Sequence, residues 1–154
     1  MRYVTIDLGR GYKAIIDEES IPILGSKRWR AQICDGGKTI YARSDEGGNY
    51  LLMHRLIMNA PKGVVVDHIN KNGLDNRMSN LRLATYVQNA ANRGPDKRNL
   101  LGIKGVSKRR EKYKARIFDN GKQIFLGSFD TKEEASAAYQ GAAKVLWGKY
   151  ASHK

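Results

Sequence analysis

Residues 64–93 read VVVDHINKNGLDNRMSNLRLATYVQNAANR, an apolar run that gives way to an Asp-His pair and a string of asparagines. GVVVD (63–67) has the β-branched composition of a strand, and KNG (71–73) that of a tight turn. TYVQNAANR (85–93) reads as a helix, with Thr85 and Gln88 spaced as a capping box. On that helix Asn89, Asn92 and Arg93 stand at i, i+3 and i+4 and share a face. A strand, a loop and a helix therefore bracket one carboxylate, one imidazole and several side-chain amides.

That set of groups suits hydrolysis of a phosphodiester. The reaction needs a divalent cation to stabilise negative charge, a base to activate water, and a frame to hold both. A hard cation takes oxygen ligands, few of them from protein. Asp67 and an asparagine oxygen provide such ligands, and His68 has an unperturbed pKa suited to a base near neutral pH. One geometric question stays open. Adjacent strand residues point to opposite faces, so Asp67 and His68 share a site only where the strand ends or bends.

From about Tyr50 to Arg93 the chain resembles the HNH endonucleases, the ββα-metal nucleases, in the form found among free-standing and intron-borne homing enzymes. The segments DEES, KRW, YAR and LLMHRLIM also resemble the N-terminal part of phage-type members. The resemblance implies that His68 is the general base, Asp67 a metal ligand, and Asn80 the central asparagine that braces the loop of the catalytic motif. Asn89 stands where many relatives have a final histidine and would be the second metal ligand. Asn76 is implied to be structural. The missing imidazole at Asn89 argues for one Mg²⁺ or Mn²⁺ per site and against zinc. Asn70 and Asn72 read as turn residues, whose side chains bond local backbone.

The composition supports a polyanionic partner. There are 28 Lys and Arg against 15 Asp and Glu, a net charge of +13, and neutralising phosphates releases counterions. The charge is uneven: residues 1–96 carry 14 basic and 10 acidic side chains, residues 97–154 carry 14 and 5. No apolar stretch is long enough to span a bilayer and no signal-peptide pattern opens the chain, so a soluble, intracellular, cytoplasmic protein is expected. Cys34 is the single cysteine, which excludes an internal disulfide and fits a small apolar filler.

Upstream, YVTIDL, YKAII, RWRAQIC and KTIYAR alternate like short strands between the turn compositions GRG, DGG and DEGGN, predicting a small antiparallel sheet with Trp29 and Tyr41 as core aromatics. YLLMHRLIM (50–58) suits a short buried helix or strand. Its His54 is expected to be a hydrogen-bonded core residue and its Arg55 a phosphate contact, as is Arg93 at the end of the motif.

Downstream, RGPDKRNLLG reads as a linker. GIKGVSKR, KYKARIF and QIFLGSF predict three strands, with DNGK forming an Asn-Gly hairpin. DTKEEASAAYQGAAKVLW predicts a helix capped by Thr131 and Glu134, with Ala135, Ala138, Tyr139, Ala142, Val145 and Leu146 on one face. In KYKARIF the cations Lys112, Lys114 and Arg116 alternate with Tyr113, Ala115 and Ile117, which places charge on one sheet face and packing groups on the other. Lys104, Lys108, Arg109 and Arg110 add charge nearby, favouring duplex DNA over a merely solvated face. Residues 102–148 resemble the APETALA-type (ethylene-response-factor) DNA-binding domain, in which a three-stranded sheet reads the major groove. That resemblance implies DNA contacts at Lys108, Arg109, Lys114 and Arg116.

The expected fold class is α+β: an N-terminal β-rich segment (1–49), the ββα-metal motif (50–93), a linker (94–101) and a sheet-plus-helix DNA-binding domain (102–154). The expected function is a metal-dependent endonuclease acting on double-stranded DNA, nicking one strand unless two chains pair. A catalytically inactive, sequence-specific DNA-binding protein or regulator is the alternative. A basic RNA-binding protein is disfavoured by the lack of the usual stacking motifs.

Overall fold

The computed structural model describes residues 2–45, 48, 50–96 and 98–152. It is a mixed α+β chain with several small antiparallel sheets, divided into two compact units, Met1–Thr85 and Tyr86–Lys154. Most of the expected DEGGN turn, at 46, 47 and 49, lies outside the described residues, as do residue 97 of the expected linker and the last two residues of the tail.

In the first unit β1 (Tyr3–Asp7) and β2 (Lys13–Asp17) form a hairpin. Asp7 Oδ1 accepts a 2.7 Å bond from Gly9 N in its turn. β3 (Arg30–Cys34), β4 (Thr39–Ser44) and β5 (Leu51–Leu52) make a second sheet, in the order β3-β4-β5. The single N-terminal sheet expected from the sequence is thus two. After β2 the chain turns into a 3₁₀ segment and α1 (Ile21–Leu24), which carries Pro22 in its first turn. The outer edge of β2 meets a loop instead of a strand: Ile15 N donates to Leu74 O and Asn76 N to Ile15 O, at 2.8 and 2.7 Å. The N-terminal hairpin therefore holds the loop that carries the asparagines.

The apolar run 50–58 is strand and helix in turn, β5 followed by α2 (Met53–Ile57). β6 (Val65–His68) and β7 (Leu81–Ala84) pair antiparallel, with Asp67 opposite Arg82 and His68 opposite Leu81. One apolar cluster joins these pieces, drawing Ile16 from β2, Ala42 from β4, Met53 and Ile57 from α2, Val66 from β6 and Leu81 from β7, with Trp29 buried as expected.

The second unit opens with α3 (Tyr86–Asn92). β8 (Val106–Arg109), β9 (Lys112–Asp119) and β10 (Lys122–Phe129) form one sheet with β9 central, and α4 (Lys132–Trp147) packs on it. The β9–β10 turn has positive φ at both Asn120 (46°) and Gly121 (77°), the conformation an Asn-Gly hairpin favours. Thr131 and Glu134 form the expected capping box. Gly105 cannot carry a side chain: its φ is 73°, and a Cβ there would lie 2.1 Å from the Tyr139 ring.

Two expectations for this unit change. The buried stripe of α4 is Ala135, Tyr139 and Ala143, while Val145 is 86% exposed and Leu146 is exposed too. At 100° per residue Val145 falls about 120° from the centre of that stripe, and Leu146 sits in the last turn. The Gly- and Pro-containing stretch after α3 also fails to set α3 apart from the tail. Lys104 Nζ donates to the carbonyls of Ala90, Ala91 and Arg93 at 2.7–2.9 Å, Ser152 N donates to Ala91 O, and Asn99 Nδ2 bonds the carbonyls of Ile103 and Val106. Among the described residues no helix is long and apolar enough to cross a membrane.

Candidate functional site

β6 ends at His68, and the chain then turns through the asparagine loop before β7 brings it back. A network of amides shapes that loop. Asn80 Oδ1 accepts from Asn70 N at 3.0 Å, and its Nδ2 donates to Asn70 Oδ1 and to Asp75 O at 2.9 and 2.8 Å. Asn80 thus braces the loop through three bonds to Asn70 and Asp75. Asn70 Nδ2 donates to Asp75 Oδ2, and Asn72 Oδ1 caps Leu74 N, the local roles expected of turn asparagines. Buried Asp75 is held on its other side by Arg77, two bonds of 2.7 Å that with Asn70 keep its carboxyl below the ordinary range.

Gly73 has an unexpected role here. Its sequence context suggests a turn conformation, yet what matters is space: a Cβ at Gly73 would meet Ile40 O at 2.4 Å and the Tyr41 ring at 2.7 Å. The loop therefore lies directly against β4. Tyr41 in turn belongs to a ring cluster, 5.2 Å from His54 and 5.9 Å from His68, with His54 edge-on to His68 at 4.9 Å.

His68 is 6% exposed, and its Nε2 lies 3.1 Å from Oδ1 of Asn76, a residue with no exposed surface. The Asn76 amide is oriented by its other end, whose Nδ2 faces Leu74 O and Met53 Sδ. Oδ1 can only accept, so His68 Nε2 carries the proton and Nδ1 carries the lone pair. Burial lowers the His68 pKa; the Asn76 bond and the charges of Asp67 and Asp75 oppose this without reversing it. The imidazole is therefore neutral at neutral pH. Asn76, which the sequence marks only as structural, is the residue that fixes the histidine tautomer, and its burial was the signal no sequence pattern carried.

His54 departs from expectation in one respect. It is a core residue, but its Nδ1 is buried without a hydrogen-bond partner, and burial, then the neighbouring His68 and Arg55, lowers its pKa to about 3. Ring packing holds it where a hydrogen bond was expected. Arg55, expected on a phosphate, instead donates to the carbonyls of Val64, Ala60 and Pro61 at 2.6–3.1 Å and so ties the end of α2 to the approach of β6.

Asp67 is 5% exposed and points across the ladder to Arg82, whose Nε and Nη2 both reach Asp67 Oδ2, at 2.8 and 2.6 Å. Asp67 and His68 are successive ladder residues and face opposite sides of the β6–β7 pair. Asn89 lies on α3 in the second unit, half-buried, and Arg93 follows one residue past α3, exposed. Asp67 supplies a hard oxygen donor with no thiolate beside it, chemistry that suits Mg²⁺ or Mn²⁺ held largely by water and phosphate.

On the tail sheet the alternation in β9 is as expected: Ala115 and Ile117 are buried, and Lys112, Lys114 and Arg116 share the opposite face. Register puts Arg109 opposite Lys112 on that same face, and Lys112 pairs with Asp130. Exposed Phe118 continues the face along β9, with Phe125 opposite Arg116 on β10, an aromatic pair that the cation pattern alone did not single out. Lys108 falls on the other face, opposite Tyr113, with its ammonium 5.7 Å from that ring. Lys104, also expected at DNA, caps the carbonyl end of α3 instead.

The HNH endonuclease family model matches residues 52–91, the segment from β5 to α3. An uncharacterised HNH endonuclease of Acanthamoeba polyphaga mimivirus is 31% identical over 156 residues, spanning 97% of this chain and 79% of that protein. Protein 3.8 of Escherichia phage T7 is 37% identical over 93 residues, 59% of this chain and 76% of its own length. No solved structure matches the chain. Since the likeness to the mimivirus protein runs through both units and the family match frames the Asp67–His68 pair, the chain belongs to the HNH endonucleases, a family of nucleases.

Proposed function

We propose that the chain is a metal-dependent endonuclease that hydrolyses one phosphodiester of duplex DNA per binding event, with His68 as general base. The observation that carries this reading is the His68–Asn76 bond, which leaves a neutral imidazole with its lone pair on Nδ1. Nδ1 takes a proton from water as the oxygen attacks phosphorus. Asp67, with Asn89 from α3, is the proposed oxygen ligand pair. A bound Mg²⁺ or Mn²⁺ supplies Lewis-acid stabilisation of charge on the phosphate and leaving oxygen. In-line displacement puts the attacking and leaving oxygens on opposite sides of phosphorus. The products are a 3′-hydroxyl and a 5′-phosphate.

The tail is proposed to dock on the duplex as an APETALA-type domain. Support comes from its excess of 14 basic over 5 acidic side chains and from the shared face of Arg109, Lys112, Lys114 and Arg116. With one such site per chain, a single copy nicks.

The test is plasmid nicking with Mg²⁺: His68→Ala should abolish it while gel-shift binding of duplex DNA persists, and robust nicking by that variant would refute the assignment. One observation favours the reading of an inactive DNA-binding regulator, namely the guanidinium of Arg82 on the proposed metal ligand. EDTA separates the two, because cleavage must depend on metal and simple binding need not.

A further inference from the structure

We infer that Arg82 is a positioning residue that couples metal binding to DNA binding, acting as counter-ion to Asp67 until a phosphate takes its place. The inference rests on the reading of Asp67 as a metal ligand.

Asp67 and Arg82 are directly opposed across the β6–β7 ladder, with side chains 5% and 10% exposed. Water screens such a pair little, and a buried carboxylate without a counter-charge is strongly disfavoured. Arg82 therefore fulfils a need of the metal-free protein. The manner of pairing matters more. Both Nε and Nη2 converge on one oxygen, Oδ2, so a cation approaching that oxygen meets a guanidinium already seated there, and two positive groups on one carboxylate repel. The other buried carboxylate of the motif, Asp75, is held by Arg77, whose side chain is 38% exposed and lies 5.8 Å from the Tyr3 ring. That pair braces a loop.

A guanidinium gives up a carboxylate most readily for a group of matching geometry, and a phosphate diester offers two oxygens to the same fork. When backbone phosphate enters, Arg82 gains a second anion and the carboxylate is released toward the ion. Each ligand then favours the other, and linkage requires the factor to be reciprocal.

The test is Mn²⁺ titration of the full chain, free and saturated with duplex DNA, in a His68→Ala background that prevents cutting. Duplex should tighten Mn²⁺ by about tenfold or more, and Mn²⁺ should tighten duplex by the same factor. Arg82→Gln in that background should bind Mn²⁺ more tightly when free and gain less from duplex than the parent, keeping only the coupling that phosphate ligation of the ion provides. Arg82→Lys, with one charged centre in place of a fork, should fall between. If Arg82→Gln does not fold without metal, Mn²⁺ should restore its cooperative melting, since the ion replaces the lost counter-charge. Undiminished coupling in Arg82→Gln, or weaker Mn²⁺ binding to the free variant, overturns the inference and leaves Asp67 as a ligand. Absence of Mn²⁺ binding even on DNA overturns both.

Discussion

Nε2 of His68 donates to Oδ1 of Asn76 across 3.1 Å, inside a shell that leaves Asn76 no exposed surface. Two consequences can be measured. Asn76→Ala removes the acceptor and frees the ring to turn, and misplacement of a reacting group by about 1 Å costs on the order of 10²-fold in rate; kcat for nicking should fall by about that factor with DNA affinity unchanged. Asn76→Asp puts a carboxylate beside the ring and favours the imidazolium. The His68 pKa should rise, so the acid limb of the pH–rate profile should move to higher pH. An unmoved limb in Asn76→Asp would mean that another group is the base.

His54 makes the first unit sensitive to acid. Its pKa in the folded chain is lowered to about 3 by burial, below the ordinary histidine value of about 6.5. The unfolded chain binds a proton there before the folded chain does. Stability is therefore present above about pH 6.5 and declines as pH falls toward 3, a loss of roughly 5 kcal/mol at most. His54→Phe keeps the ring packing against Tyr41 and His68 and removes the titration. Urea unfolding at pH 7 and pH 5 should show a smaller difference for His54→Phe than for the parent chain.

Gly73 and Gly141 separate two kinds of glycine. A Cβ at Gly73 strikes backbone and an aromatic ring, whereas one at Gly141, inside α4, meets nothing within 4 Å. Gly73→Ala should destabilise the first unit by about 1–3 kcal/mol and lower nicking, because the loop must lift from Tyr41. Gly141→Ala should stabilise the second unit by about 0.5–1 kcal/mol through helix propensity alone. Thermal melting of both variants checks the opposed signs.

What was legible in the sequence was whatever short-range pattern determines. Asn120-Gly121 selects its hairpin, Thr131 and Glu134 cap α4, and the alternation of KYKARIF sorts cations from core. The Asp-His pair was legible as a strand end because turn residues follow it. Features that depend on which distant segments meet were not. Arg82 is one of 28 basic side chains until register sets it opposite Asp67. Arg55 and Lys104 look like phosphate ligands until the carbonyls of the turn after α2 and of the end of α3 come within reach. The N-terminal strands read as one sheet because nothing local shows that the edge of β2 is taken by the loop at 74–76. The Asn76 contact to His68 spans eight residues and needs the whole asparagine loop to be folded first.

The sheet register divides the tail cations into groups with different expected effects on DNA binding. Lys114 and Arg116 project from the face opposite α4, while Lys108 lies against Tyr113 and Lys104 caps α3. If the exposed face lies on duplex, each cation on it neutralises about one phosphate, and binding falls with salt at a slope of about −0.9 per contact. Lys114→Ala and Arg116→Ala should each weaken binding and reduce the magnitude of the salt slope by about one. Lys108→Ala should leave the slope unchanged. Lys104→Ala should weaken binding, if at all, by destabilising the second unit, which melting would register and the salt slope would not. Equal slope changes for Lys108 and Lys114 would mean that the protein approaches DNA by another surface.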